Sequence, residues 1–483
     1  MTVSRRDLLT TATALGGAVL LSPPGVAQAL SRPARTGIPD YTATKASLDT
    51  HPVPRWYKDA KFGIFIHWGV YSVPGGTGRQ NAAEWYLWYQ SFKDTAEWKY
   101  HRDTYGEDVV YDDFIPQFKA ENFDPDSWVK LFEQAGAQYF ALTSKHHDGF
   151  ALFPSRVTDR HSVAYGPKRD LVGELMTAAR KRGTVRPGLY YSLGEFFNPA
   201  IGRPMRNFYT DEEIPMVGYK PVGDYIGDYE LKQLDEIIDR YDPDLLWADG
   251  QWFRPTGEPP WRSEEPLVHY YNQAKNRRKP KGVVVNDRFD THYDFATYEQ
   301  RTNPTMDPQK WECCITMGYS WGYNKHELDE DYKTSEFLIH LLADVVSKNG
   351  NLLLNIGPKP DGTIPGIMRQ RLRDIGTWLD VNGPAIYGSA PWVRAEEEGS
   401  PLGIRYTVTP GRFNIIALGA PSGTLTVPAD IPISATSRIR LLGHSGPLRW
   451  TRQDGKIHIT VPSALPSDIA NTFTVAWDRG RAS

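Results

Sequence analysis

Short apolar runs and amphipathic stretches alternate along most of the chain. Gly63-Ile64-Phe65-Ile66-His67 is a run of strand length, apolar up to its final His, which predicts a buried strand. Asp124-Pro125 then supplies an N-cap and first-turn pair. Trp128, Leu131, Phe132 and Ala135 follow at i, i+3, i+4, i+7, and Gly136 closes the predicted helix. Tyr139 to Thr143 reads as the next strand. A second helix runs from Asp170 to Gly183 with Leu171, Leu175 and Ala178 on one face, and Gly188 to Ser192 is again a strand. The pattern repeats through a helix marked by Leu231, Leu234, Ile238 and Tyr241, the strand Leu245-Leu246-Trp247, and Val283-Val284-Val285. It ends with a helix carrying Leu338, Leu341, Leu342 and Val345 before the strand Leu352 to Ile356. Repeated β-α-β units with buried strands predict an α/β fold. Six or more such units over roughly 320 residues favour an irregular TIM-like (β/α) barrel. The alternative, an open doubly wound sheet, would want a glycine-rich phosphate loop, and no G-x-G-x-x-G or Walker pattern is present.

Near Pro391 the texture changes to short alternating runs separated by Gly, Pro, Asp and Ser. They are Ile404 to Val408, Phe413 to Leu418, Leu425 to Val427, Ile439 to Leu442, Ile457 to Val461 and Phe473 to Trp477, the signature of a C-terminal β-sandwich. At the other end, Ser4-Arg5-Arg6-Asp7-Leu8-Leu9 is a twin-arginine pattern. A mildly apolar stretch to Leu21 and an Ala27-Gln28-Ala29 cleavage site follow. The expected organisation is a twin-arginine signal peptide over 1–29, a catalytic barrel over 30–390 and a β-sandwich over 391–483, with the mature protein secreted or extracytoplasmic. No stretch predicts a stable membrane span.

Composition narrows the function classes. A net charge of -3 offers no basic field for nucleic acid. Fifteen Trp and twenty-six Tyr suit a sugar site, where rings cover apolar C–H faces and polar tips reach hydroxyls. The two cysteines, Cys313 and Cys314, are adjacent, which suits neither a disulfide scaffold nor a structural zinc site, and they read as small buried residues.

In a β/α barrel the working groups stand at the C-terminal ends of strands. There the sequence offers His67, then His146-His147-Asp148, then Tyr191 to Glu195, then Asp249, then Asn286-Asp287-Arg288. Five such ends point to an enzyme site, and the choice lies between metal and carboxylate chemistry. A metal-dependent hydrolase would usually show an H-x-H pair, whereas His146 and His147 are neighbours whose side chains diverge if that segment is extended. Paired carboxylates in an aromatic pocket suit glycoside hydrolysis.

The segments Phe62 to Gly69, Glu84-Trp85-Tyr86, Lys145 to Phe150, Gly188 to Ser192, Trp247-Ala248-Asp249-Gly250, Asn286-Asp287-Arg288, Trp311-Glu312, Ser320 to Tyr323 and Asn351 to Pro358 together resemble the α-L-fucosidases of glycoside hydrolase family 29. They run in the family's order across most of the catalytic region. The resemblance implies a barrel with a C-terminal β-sandwich and exo-acting, retaining hydrolysis of terminal α-L-fucose. It implies no cofactor and no metal, and a fucosylated oligosaccharide or glycoconjugate as substrate. It makes Asp249 the nucleophile. For the acid/base it points to Glu299, in Asp294-Phe295-Ala296-Thr297-Tyr298-Glu299, where Tyr298 stands in place of a proline usual in the family; Glu84 is the alternative. His67, Glu84, Trp85, His146, His147, Tyr191, Trp247, Arg288 and Trp321 are expected to contact the sugar, with Glu195 in a positioning or structural role and Asp287 shaping its loop. The rival readings are a sugar-binding protein without activity, a metal-dependent barrel hydrolase, and a glycosidase for a related sugar such as L-galactose. Linkage preference is expected to reside in the segments Ser91 to Gln117 and Gly202 to Gly223.

Overall fold

The computed structural model describes residues 40–253 and 261–477; the signal and cleavage site read at 1–29 lie outside them. Eight parallel strands form one curled sheet: β1 (Phe62–Ile66), β2 (Tyr139–Lys145), β3 (Arg186–Ser192), β4 (Leu245–Asp249), β5 (Val284–Val285), β6 (Ala296–Glu299), β7 (Trp311–Ile315) and β8 (Gly350–Ile356). Their order, β5-β4-β3-β2-β1-β8-β7-β6, is that of a TIM-like barrel. The two edges meet through a single parallel bridge between Asn286 and Phe295.

The helices begin and end where the sequence punctuation puts them. Asp124 caps Pro125–Gln134 by accepting from the backbone N–H groups of Asp126 and Ser127. Asp170 caps Leu171–Arg182, which stops at Gly183 in the left-handed conformation (φ 71°). Strand β7, the short β6, and the helices Glu264–Asn276 and Gly366–Ile386 add to the elements predicted from periodicity. A single short helical turn, Asp287–Phe289, lies between β5 and β6 and no helix between β6 and β7, which makes this stretch the irregular part of the barrel.

Strand alternation divides the side chains between two cores. Phe62, Ile64 and Ile66 of β1 pack outward with Phe140, Leu142, Leu189, Leu246 and the helices. Phe65, Tyr139, Ala141, Tyr190, Leu245, Trp247, Cys314 and Leu353 fill the interior. Because the register pairs Tyr190 with Trp247 and Ser192 with Asp249, these four residues share the inward face.

After Ala390 the chain builds a five-stranded and a three-stranded antiparallel sheet around a separate apolar core that includes Tyr406, Phe413, Ile457 and Phe473. Trp450 and Trp477 pack against that core. This β domain is joined to the barrel helices by hydrogen bonds from Thr407 Oγ1 to the Ala385 carbonyl and from Trp378 Nε1 to the Ala470 carbonyl, with an Arg405–Asp344 ion pair beside them.

Candidate active site

The C-terminal ends of the barrel strands surround a cavity whose empty space, open mouth included, is about 360 Å³. Asp249, the last residue of β4, lies at its centre and is only 8% exposed. Its Oδ1 accepts from Arg288 Nη1 at 2.5 Å and its Oδ2 from the Tyr190 hydroxyl at 2.8 Å. Burial alone would raise its pKa. The Arg288 cation and the hydrogen bonds from Arg288 and Tyr190 outweigh that, so Asp249 sits below the ordinary carboxylate value and is ionised at neutral pH. Arg288 stands on the short helical turn after β5, and its Nη2 reaches Glu299 Oε2 at 2.5 Å. One guanidinium therefore holds both carboxylates, which places their nearest oxygens within about 7 Å of each other. Glu299 ends β6 at the rim, with 41% of its side chain exposed.

Three imidazoles line the same cavity. His67 follows β1 directly. Its Nδ1 meets Asn355 Oδ1 at 2.7 Å, while Asn355 Nδ2 donates to the Trp321 carbonyl. This network places the proton of His67 on Nδ1 and leaves Nε2 as an acceptor. His147 Nδ1 likewise donates to Ser192 Oγ, whose own proton goes to the Gly194 carbonyl, and His147 Nε2 lies 3.6 Å from Asp249 Oδ2. Burial pushes His67 down to about 3, His147 to about 4, and His146 well below its ordinary value, so all three rings are neutral at pH 7. His146 and His147 do not diverge. Their ring centroids are 4.2 Å apart and both face the cavity, because the chain turns after β2 instead of continuing extended.

Glu84 sits on the turn Ala83–Trp85. Its Oε2 accepts from the Gly322 N–H at 2.9 Å and the Ser320 hydroxyl at 3.0 Å, whereas its buried Oε1 has no protein partner. Burial, against those hydrogen bonds, pushes its pKa up to about 7. Phe65, Trp85, Trp247 and Trp321 supply the apolar walls. Trp247 is held by its Nε1–H bond to Glu312 Oε1 at 3.0 Å and lies under the Arg288 guanidinium, 4.8 Å from the ring centroid.

Of the residues expected from sequence, Asp249, Glu299, His67, Glu84, Trp85, His146, His147, Trp247, Arg288 and Trp321 converge on this cavity. Tyr191 does not. It is on the outer face of β3, where its hydroxyl donates to Gln233 Oε1, and Tyr190 takes the inward place beside Asp249. Glu195 is likewise outside the cavity, paired with Lys145 at 2.9 Å and with Asn198. Asp287 accepts from Thr297 N and Oγ1 and so ties the turn bearing Arg288 to β6. Phe65, Tyr190 and Trp252 also line the cavity. The period-2 spacing from His67 in β1 was the available signal for Phe65, whereas the doubly buried β3 offers none that separates Tyr190 from Tyr191. Trp252 follows Asp249 by three residues and is 48% exposed at the mouth. Neither Ser91 to Gln117 nor Gly202 to Gly223 contributes a lining residue.

A family model described as alpha-L-fucosidase matches residues 29–384. The chain belongs to the α-L-fucosidase family. It is accordingly a glycoside hydrolase that acts on α-L-fucosides. It is 38% identical over 448 residues to human tissue alpha-L-fucosidase, covering 90% of this chain and 91% of the relative. It is also 38% identical over 454 residues to an alpha-L-fucosidase of Branchiostoma floridae, covering 91% and 94%. Crystal structures of the Thermotoga maritima α-fucosidase are 38% identical and cover 90% of this chain and all of theirs. The TM-score is 0.76 for the complex with fucose and 0.77 for the complex with a mechanism-based inhibitor. This fucosidase fold carries no helix, among the described residues, that is long and apolar enough to cross a membrane.

Proposed function

We propose that the enzyme is an exo-acting, retaining α-L-fucosidase that works through a covalent fucosyl-enzyme on Asp249. The observation that carries this reading is the single guanidinium of Arg288 holding an ionised, buried Asp249 and a rim Glu299. In the first step an Asp249 oxygen attacks C1 of the fucosyl unit. The C1–aglycone bond breaks, and the proton of Glu299 goes to the leaving oxygen. In the second step water attacks C1, the ester bond to Asp249 breaks, and Glu299 takes the water proton.

The small, blind cavity suits one terminal sugar. The acceptor Nε2 atoms of His67 and His147, with the unpartnered Oε1 of Glu84, are placed to bond its hydroxyls, and Phe65, Trp247 and Trp321 offer an apolar corner for the C5 methyl. That the Thermotoga relative binds fucose and a mechanism-based inhibitor supports the same assignment. The raised pKa of Glu84 favours a second reading, with Glu84 as the acid. Its enclosure among Gly322, Ser320 and the cavity wall favours sugar binding instead. Export through the twin-arginine route is part of the proposal and rests on the Arg5-Arg6 pattern and Ala27-Gln28-Ala29.

The test is trapping. A 2-deoxy-2-fluoro-fucosyl fluoride should add one fluorofucosyl mass to the enzyme, on a peptide containing Asp249, and the first sugar released from substrate should be the α-anomer. Release of the β-anomer without an adduct would establish inversion and remove the nucleophile role.

A further inference from the structure

The seam between β5 and β6 carries a second cluster of titratable groups, none of which lines the active-site cavity. Asp294 lies just before β6 and completes the seam. Its N–H donates to the Val285 carbonyl, and its Oδ2 accepts from the Val285 N–H at 2.8 Å and the Tyr271 hydroxyl at 3.0 Å. Its other oxygen, Oδ1, meets His51 Nδ1 at 2.7 Å and faces His292 Nε2 at 3.7 Å. One possible ligand atom from each of His51, His292 and Asp294 lies within 4.8 Å of those of the other two. A tetrahedral ion with bonds of about 2.0–2.1 Å needs its ligand atoms about 3.3 Å apart, a value between the 2.7 Å and 3.7 Å that separate Asp294 Oδ1 from His51 and His292.

His292 supplies the second, independent observation. It is 4% exposed, and its Nε2 is buried without a hydrogen-bond partner. Its Nδ1 lies 3.0 Å from Asp49 Oδ1, and its Nε2 faces the Asp294 carboxylate at 3.7 Å, beyond hydrogen-bond reach. An imidazole that donates through one nitrogen to a carboxylate and offers the other to a cluster of donors is the usual setting of a metal-bound histidine. Two imidazoles and one carboxylate suit zinc among the available divalent ions, and the charges of Asp49 and Asp294 would balance it.

We propose that His51, His292 and Asp294 form a structural divalent-cation site of the zinc class, with Asp49 orienting His292 and a fourth position open to solvent. The ion fastens the segment holding His51 to the seam at the point where the barrel wall is joined by only one bridge, Asn286 to Phe295. Arg288 lies between those bridged residues and Glu299 four residues beyond the second, so the ion braces the segment that presents both. It takes no part in the chemistry.

The experiment uses the full chain, freed of metal with chelator and kept in saturating L-fucose so that the cavity histidines are occupied. Zn²⁺ is titrated by calorimetry, and the melting temperature is followed. One ion should bind per chain and raise the melting temperature by about 3 °C or more. His292→Gln should abolish binding and melt like the chelated parent. Asp49→Asn, at a half-exposed position, should weaken binding about 10- to 100-fold. Absence of stoichiometric binding, or equal binding by His292→Gln, would overturn the site and leave a shared proton between His292 and Asp294 as the explanation of their contact.

Discussion

The Tyr190 hydroxyl donates to Oδ2 of Asp249 at 2.8 Å, and the β3–β4 register that pairs Ser192 with Asp249 is what brings the two together. Removing that donor with Tyr190→Phe takes away a bond to the charged form of Asp249, so its pKa rises. Because the proposed nucleophile must be ionised to attack, the acidic limb of the kcat/KM profile should move to higher pH, and kcat/KM should fall about 10-fold or more. Tyr191→Phe should leave that limb in place and keep the rate within about twofold, costing about 1 kcal/mol of stability through the lost bond to Gln233. The pH–rate profiles of the two variants check the assignment, and the opposite pattern would place the wrong tyrosine in the site.

Arg288→Lys tests the bridge between the carboxylates. An ammonium offers no planar fork, so it cannot hold both Asp249 Oδ1 and Glu299 Oε2 in the observed geometry. The expected result is a loss of about 100-fold in kcat/KM with an acidic limb again moved upward, since the cation that opposes the burial penalty of Asp249 is weakened. Steady-state kinetics over pH measures both quantities.

Glu299 and Glu84 separate by leaving group. If Glu299 protonates the departing oxygen, Glu299→Ala should lose about 10³-fold on fucosides with poor leaving groups and far less on a dinitrophenyl fucoside. Added azide should then yield α-L-fucosyl azide. Glu84→Ala should lose activity on both substrates alike and form no azide product. Product analysis with the two aryl fucosides decides between them.

Burial gives the fold a pH dependence independent of catalysis. Glu312, inside the barrel, is pushed by burial from its ordinary 4.5 to about 7, against hydrogen bonds from Tyr139, Tyr57 and Trp247 that pull it down. A folded state with the higher pKa binds more protons than the unfolded one. Stability is therefore greatest below about pH 4.5 for this group and declines as pH rises to about 7, by roughly 3 kcal/mol. Glu312→Gln should flatten the fall in melting temperature between pH 5 and 7.5; an unchanged slope would show that Glu312 titrates normally.

Much of the site was legible in the sequence because a barrel delivers its strand ends to one mouth whatever the loops do. His67, Asp249 and Arg288 each follow an apolar run closely, and the N-caps Asp124 and Asp170 fixed the intervening helices. The strand β6 was harder, since four half-exposed residues, Ala296–Glu299, carry no periodic signal strong enough to announce a barrel strand. The neighbouring histidines were misread in direction because a turn, not a strand, follows Lys145.

The sequence by itself determined most of the alternating strands and helices, a C-terminal β domain, and the place of the Asp249-Gly250 segment at a strand end, because local periodicity and capping are properties of neighbouring residues. Only the tertiary structure decided which face each aromatic takes. The run Gly-Leu-Tyr-Tyr-Ser at 188–192 is buried on both sides of the sheet, so no contrast of apolar and polar positions separates Tyr190 from Tyr191 until the register against Asp249 is known. The same holds at the seam, where His51 and Asp294, 243 positions apart, meet because the curled sheet closes there and the chain before β1 crosses that joint.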